Sequence, residues 1–141
     1  MNKNGAIVVV EDDIDDQEMF KDVFSELNYK NEIIFCSDGQ QALNYLTATA
    51  AEPFIVFSDI NMPNLNGIEL RKQIHENENI RIKTIPYLFF TTSAEHDAVV
   101  EAYSKSIQGF FIKPSSYNDL KDVLKTIIEY WQKCESPIYV K

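Results

Sequence analysis

The stretch FIVFSDINMPNLNG, residues 54–67, changes character at a single residue. Phe54 to Ser58 form an apolar run of the β-branched and aromatic type that suits a buried strand. Asp59 ends that run, and Pro63 and Gly67 follow at positions that favour a tight turn. A buried strand closed by a carboxylate and a sharp turn poses a chemical question, because the charge must face something other than the core.

Similar runs lie on either side. AIVVV (6–10), EIIFC (32–36), PYLFF (86–90) and GFFI (109–112) read as further buried strands. The segments between them carry helical spacing. Phe20, Val23, Phe24 and Leu27 fall at i, i+3, i+4, i+7, and Leu120, Val123, Leu124, Ile127, Ile128 and Trp131 repeat the stripe. Residues 38–48, 67–77 and 95–106 are weaker helix candidates, and Ser115 or Ser116 is placed to cap the last helix. Five strands alternating with five helices predict an α/β fold, a doubly wound parallel sheet covered on both faces. The common strand order is 2-1-3-4-5, with a ligand site at the carboxyl ends of the strands where the order reverses.

Composition agrees with one packed domain. The chain has 141 residues, 45% hydrophobic and 12% aromatic, without repeats or linkers. The expected unit is a single domain over 1–141, with its core at about 5–133 and a short tail at 135–141. A net charge of −9 opposes binding to a phosphate backbone. Cys36 and Cys134 have no metal-ligand spacing and read as free thiols. No stretch has the length of a signal peptide core or a membrane span, so a cytoplasmic location is expected.

The strand ends carry the chemistry. Glu11, Asp12 and Asp13 close the first strand, Asp59 the third, Thr91 the fourth and Lys113 the fifth. Ser37 and Asp38 close the second, which is expected at the far edge and away from the site. Singly, each residue has an ordinary explanation: an acidic helix start, a turn aspartate, a strand terminus, a surface lysine. Together, the parallel strands gather them at one end of the sheet. Clustered carboxylates call for a cation. All-oxygen ligands favour Mg²⁺, Mn²⁺ or Ca²⁺, and a shallow site with few carboxylates suits Mg²⁺, whose shell is commonly shared with a phosphate. A nearby lysine and threonine can hold phosphoryl oxygens, and Asp59 can serve as a nucleophile. His75 and His96 read as ordinary polar-face residues.

VVVEDD, SDINMPNLNG, PYLFFTTSA and GFFIKP, in this order, resemble the motifs of response-regulator receiver domains, the CheY-like members of two-component signalling. The resemblance spans about residues 5–133. It implies a (βα)5 fold and a phosphorylatable switch with Asp59 as phosphoacceptor. Mg²⁺ would be held by Asp12, Asp59 and the carbonyl of Asn61, with Glu11 acting through a coordinated water. Thr91 and Lys113 would bind the phosphoryl group, and Phe110 would be the aromatic switch residue. The implied partners are a histidine kinase or histidine phosphotransfer protein, a downstream protein target and a second copy of the chain. The resemblance also implies a cis Lys113–Pro114 bond. Three positions depart from the commonest family pattern: Glu11 for Asp, Thr92 for Ala, and Phe110 for Tyr.

Other classes fit less well. A Mg²⁺-dependent phosphatase or phosphotransferase of the haloacid dehalogenase type needs a second Asp where Asn61 stands. A flavodoxin-like cofactor binder needs a polar phosphate loop where Glu11, Asp12 and Asp13 would repel the phosphate. An adaptor that works without phosphorylation would not require the full set of strand-end residues.

Overall fold

The computed structural model describes residues 1–48, 50, 52–81, 83–92, 96–104 and 106–135, with the side chains of His96 and Ala98 outside that description. The strands are β1 (Ile7–Val10), β2 (Ile33–Cys36), β3 (Ile55–Ser58), β4 (Tyr87–Thr91) and β5 (Gly109–Ile112). They form one parallel sheet in the order β2-β1-β3-β4-β5, as the segment pattern predicts. Register is continuous across the centre: Val10 pairs with both Cys36 and Ser58, so β1, β2 and β3 end level with one another.

Alternating strand residues feed two cores. On one face Val8, Val10, Val56, Tyr87 and Phe89 pack against α2 (Gly39–Ala48), α3 (Gly67–Glu76) and α5 (His96–Ser104). On the other, Ile7, Val9, Ile55, Phe57, Leu88 and Phe90 meet α1 (Ile14–Leu27) and α6 (Tyr117–Lys133). Each fully buried side chain of this size contributes about 1.5–3 kcal/mol, which is why short strands suffice.

Local signals set the helix starts. Asp13 caps α1 by accepting from the Asp16 N–H at 3.0 Å. Asn66 and Glu69 form a reciprocal capping box at α3, and Ser116, not Ser115, caps α6.

Two expectations are corrected. Six helices are present among the described residues, not five, because α4 (Glu78–Arg81) adds a single turn. Asn77 starts it, its side chain accepting from Ile80 N–H at 3.2 Å and its carbonyl from Arg81 N–H at 2.8 Å. A helix this short has no apolar period to read. Every described peptide bond is trans, Lys113–Pro114 included. The trans form is the lower in energy for X–Pro by about 0.5–1 kcal/mol, and Lys113 already reaches the strand-end carboxylates in it. The tail at 136–141, Ser93 and Ala94 lie outside the described residues. No helix among the described residues is long and apolar enough to cross a membrane.

Candidate functional site

The ladder bonds at the ends of β1 and β3 place the acidic residues. Glu11 N–H donates to the Cys36 carbonyl at 2.9 Å and Asp59 N–H to the Val10 carbonyl at 3.0 Å. The chain therefore stays in register one residue past each strand, and Glu11 and Asp59 emerge side by side. With Asp12 they form a cluster whose carboxylate oxygens lie within 4.8 Å of one another. Glu11 is buried, Asp59 half-buried and Asp12 exposed, so the cluster grades from core to solvent.

Lys113, just past β5, answers this charge. Its side chain is only 9% exposed, and Nζ donates to Glu11 Oε1, to Asp16 Oδ2 at 2.8 Å and to Asp59 Oδ2 at 3.1 Å. Its own backbone N–H donates to the Thr91 carbonyl at 2.8 Å, which ties the β5 end to the β4 end. Burial pushes the Glu11 carboxyl up to about 7 against the opposing pull of its Lys113 bond. Burial also works to lower Lys113, but its bonds to Asp16 and Glu11 and the charge of Asp59 outweigh that and hold the ammonium above its ordinary value. The second Asp59 oxygen accepts from the Ile60 N–H at 2.7 Å.

The loop from Asp59 to Asn66 is pinned at several points. Gly67 N–H donates to the Ile60 carbonyl at 2.8 Å, and the buried Tyr87 hydroxyl donates to the Gly67 carbonyl at 3.1 Å. A Cβ on Gly67 would fall 2.0 Å from the Asp59 carbonyl oxygen, so only glycine lets α3 start this close to the site. From the other side, Gly39 N–H donates to the Leu65 carbonyl at 3.1 Å, and Asn64, at φ 66°, donates from its side chain to Asp38 Oδ2 at 2.7 Å. Asn61 and Pro63 are exposed on this loop.

Glu11, Asp12, Asp59 and Lys113 thus come together as the strand-end reading requires. Thr91 is buried at the β4 end, and Thr92 beyond it is exposed. Phe110 is half-buried, pairs in register with Phe89 and packs against its ring at a centroid distance of 6.1 Å. It lies on the strand beside Thr91 but two residues from the level of Thr91, which pairs with Ile112. His75 is exposed, as expected, and the His96 side chain lies outside the described residues. Two participants go beyond the strand-end reading, which does not single out Asp16 and expects Asp38 to lie away from the site. Asp16 reaches Lys113 from the first turn of α1, and Asp38, between the edge strand and α2, holds the loop that carries Asn61 by its bond from Asn64. For Asp38 a sequence cue exists, since Ser-Asp-Gly before a helix is a cap signal. Asp16 has none that separates it from its acidic neighbours.

Carboxylate oxygens converging at this spacing suit a hard divalent cation, and among the described residues Glu11, Asp12 and Asp59 are grouped so that they could hold one.

The fold and this acidic pocket define a receiver-type signalling switch. The chain belongs to the response regulator receiver domain family, whose model matches residues 7–125. Among its relatives, the probable methanogenesis regulatory protein FilR2 of Methanothrix harundinacea is 33% identical, over 89% of this chain and 82% of that protein. The chemotaxis protein CheY-3 of Vibrio cholerae is 31% identical, over 92% of this chain and 95% of that one. Among solved structures, the Mn²⁺-bound form of response regulator Rcp1 aligns with a TM-score of 0.81 at 25% identity, over 94% of this chain and 98% of that one. The phosphorylated cyanobacterial phytochrome response regulator RcpA aligns at 0.84 over 94% and 97% of the two chains; at 24% identity it speaks for the fold alone.

Proposed function

We propose that this chain, a single receiver unit, carries a phosphoryl group on Asp59 and takes it from a histidine kinase or a histidine phosphotransfer protein. The observation that carries this reading is the convergence on Asp59 Oδ2 of a buried ammonium, Lys113 Nζ at 3.1 Å, beside a cluster of carboxylates able to hold a cation. An Asp59 oxygen attacks the phosphorus of a phosphohistidine, forming a P–O bond as the P–N bond breaks. The imidazole leaves with the electron pair of that bond and takes up a proton.

Mg²⁺, when bound, neutralises charge on the phosphoryl oxygens during transfer. Asp12, Asp59 and the Asn61 carbonyl would hold it, and Glu11 would act through a water, as the family resemblance implies. Lys113 orients the transferred group by charge, and the Thr91 hydroxyl donates to one of its oxygens. Thr91 drawn toward the phosphoryl group leaves space beside β4, and Phe110 turns inward to fill it. That changes the surface of α5, β5 and α6 offered to a downstream protein or a second copy of the chain.

The test is incubation with Mg²⁺ and a small acyl phosphate, followed by intact mass measurement and peptide mapping. One added phosphoryl group is expected on Asp59, and none on the Asp59→Asn protein. Equal labelling of that variant overturns the assignment.

A further inference from the structure

We propose that Asp16 is a positioning residue that holds Lys113 in the unphosphorylated chain and competes with the phosphoryl group for its ammonium. The inference rests on the reading of Asp59 as acceptor. An ammonium has three N–H donors, and in this structure each has a carboxylate partner: Glu11 Oε1, Asp16 Oδ2 at 2.8 Å and Asp59 Oδ2 at 3.1 Å. Lys113 is nearly enclosed, so no donor is left over for an incoming oxygen. A phosphoryl group on Asp59 can take over the donor now on Asp59 Oδ2, and it gains a second bond from Lys113 only if Glu11 or Asp16 gives one up.

Exposure decides which one yields. The Glu11 side chain is 2% exposed, and its other oxygen is already taken by the Asp13 N–H at 3.2 Å. Giving up the ammonium there would cost a buried carboxylate its direct cationic partner. The Asp16 side chain is 33% exposed, so water can replace the ammonium there. Its backbone does not follow, because the Asp16 N–H is bonded to the Asp13 cap at 3.0 Å. Asp16 is thus a fixed post with a releasable hold: it keeps Lys113 drawn toward α1 until a stronger anion appears on Asp59. Its carboxylate also repels that anion directly. Both effects oppose occupancy of the site, so removing the charge should make occupancy easier.

The experiment follows beryllofluoride, a phosphoryl mimic, binding in the presence of Mg²⁺ by fluorine NMR. The proteins are wild type, Asp16→Asn, Asp16→Glu and Asp15→Asn. Asp15 is the adjacent exposed residue, and its substitution makes the same change in net charge. Asp16→Asn should lower the beryllofluoride concentration for half-occupancy by about threefold to fivefold, the range of a partly exposed ion pair. Asp16→Glu should stay near wild type and Asp15→Asn should move less than Asp16→Asn. In metal-free protein the Lys113 ammonium protons, followed by nitrogen NMR, should exchange with water faster in Asp16→Asn than in wild type. Unchanged or weakened binding by Asp16→Asn, or an equal gain in Asp15→Asn, overturns the role of Asp16 and leaves Asp59 standing. A wild-type protein that takes up no beryllofluoride overturns the acceptor reading itself, and this inference with it.

Discussion

The same dipeptide, Ser-Asp, closes both β2 and β3, yet the two aspartates do opposite work. At the edge, Asp38 uses one oxygen to cap α2 through the Gln41 N–H at 2.8 Å and the other to hold Asn64 at 2.7 Å. Both oxygens are committed to the fold. In the centre, Asp59 has one oxygen on Ile60 N–H and turns the other to Lys113, among carboxylates that repel it. The shared dipeptide does not distinguish them; strand position does. An edge strand has neighbours on one side only, so its end meets a loop. A central strand places its end between two others, where charges from distant parts of the chain converge. The comparison also separates two kinds of importance, one measured by stability and the other by chemistry.

The largest effect expected is from Gly67→Ala. The added methyl would sit 2.0 Å from the Asp59 carbonyl oxygen and 2.8 Å from the Phe89 ring, so backbone must move. A loss of roughly 3 kcal/mol is expected in urea denaturation, together with loss of labelling at Asp59.

Next comes a crossed pair. Asp38→Ala removes a helix cap, worth about 1 kcal/mol, and a side-chain hydrogen bond of about the same size. Urea denaturation should show a loss of about 2 kcal/mol by that sum, while Mg²⁺-dependent labelling persists. Asp59→Asn should leave stability unchanged or raised, since it relieves repulsion within the cluster, and labelling should vanish. If Asp38→Ala stays folded but takes no label, the division between the two aspartates fails.

Acidity gives a third contrast, of opposite sign. The folded-state value for Glu11 lies above its ordinary 4.5, at about 7, because of burial. Its contribution to stability is therefore full below 4.5 and is lost as pH rises through about 7. Asp38 is held below its ordinary value by the Gln41 N–H and then by Asn64, so its contribution is present above that ordinary value and lost as pH falls through the folded one. Metal-free denaturation across this range should show Glu11→Gln removing the loss toward higher pH and Asp38→Asn removing the loss toward lower pH. Mg²⁺ should oppose the first, because a cation favours the Glu11 carboxylate.

The smallest effect concerns the thiols. Cys36, beside Asp38, is buried and pushed up to about 11 by that burial, whereas Cys134 is half-buried at the end of α6. Iodoacetamide should modify Cys134 in the native protein and Cys36 only after denaturation, as peptide mapping will record.

Much of this was legible in the sequence because each informative residue terminates a run. Val10 to Glu11, Phe90 to Thr91 and Ile112 to Lys113 are abrupt changes from apolar to polar, Ser58 to Asp59 is a change from a buried hydroxyl to a carboxylate, and parallel topology converts these four changes into one site. What was not legible depends on long-range pairing. Asp16 and Lys113 are 97 residues apart, and Asp16 stands in an acidic helix start that already has a local explanation. The contact between Asp38 and Asn64 depends on the path of the β3–α3 loop, which hydrophobic period does not encode. The single turn α4 contains only Ile80 as a buried residue and leaves no stripe.

Beneath the carboxylates lies a run of aromatic rings. Phe24 meets Phe57, Phe57 meets Phe90 at 5.6 Å, and Phe90 stacks on Phe111 at 5.2 Å, with Phe20 edge-on to Phe90. None of these side chains can bind water or shift a proton. They act as an insulating floor under Glu11 and Asp59. A change of charge at Asp59 cannot be screened from below by solvent entering the core. The response is confined to the open rim, where Asp12, Asp16 and Thr92 have water to exchange with, and to side chains that can move sideways along the sheet. The floor thus gives the site a direction: under the proposed function, a charge added on top would act laterally toward β4 and β5 and not into the interior.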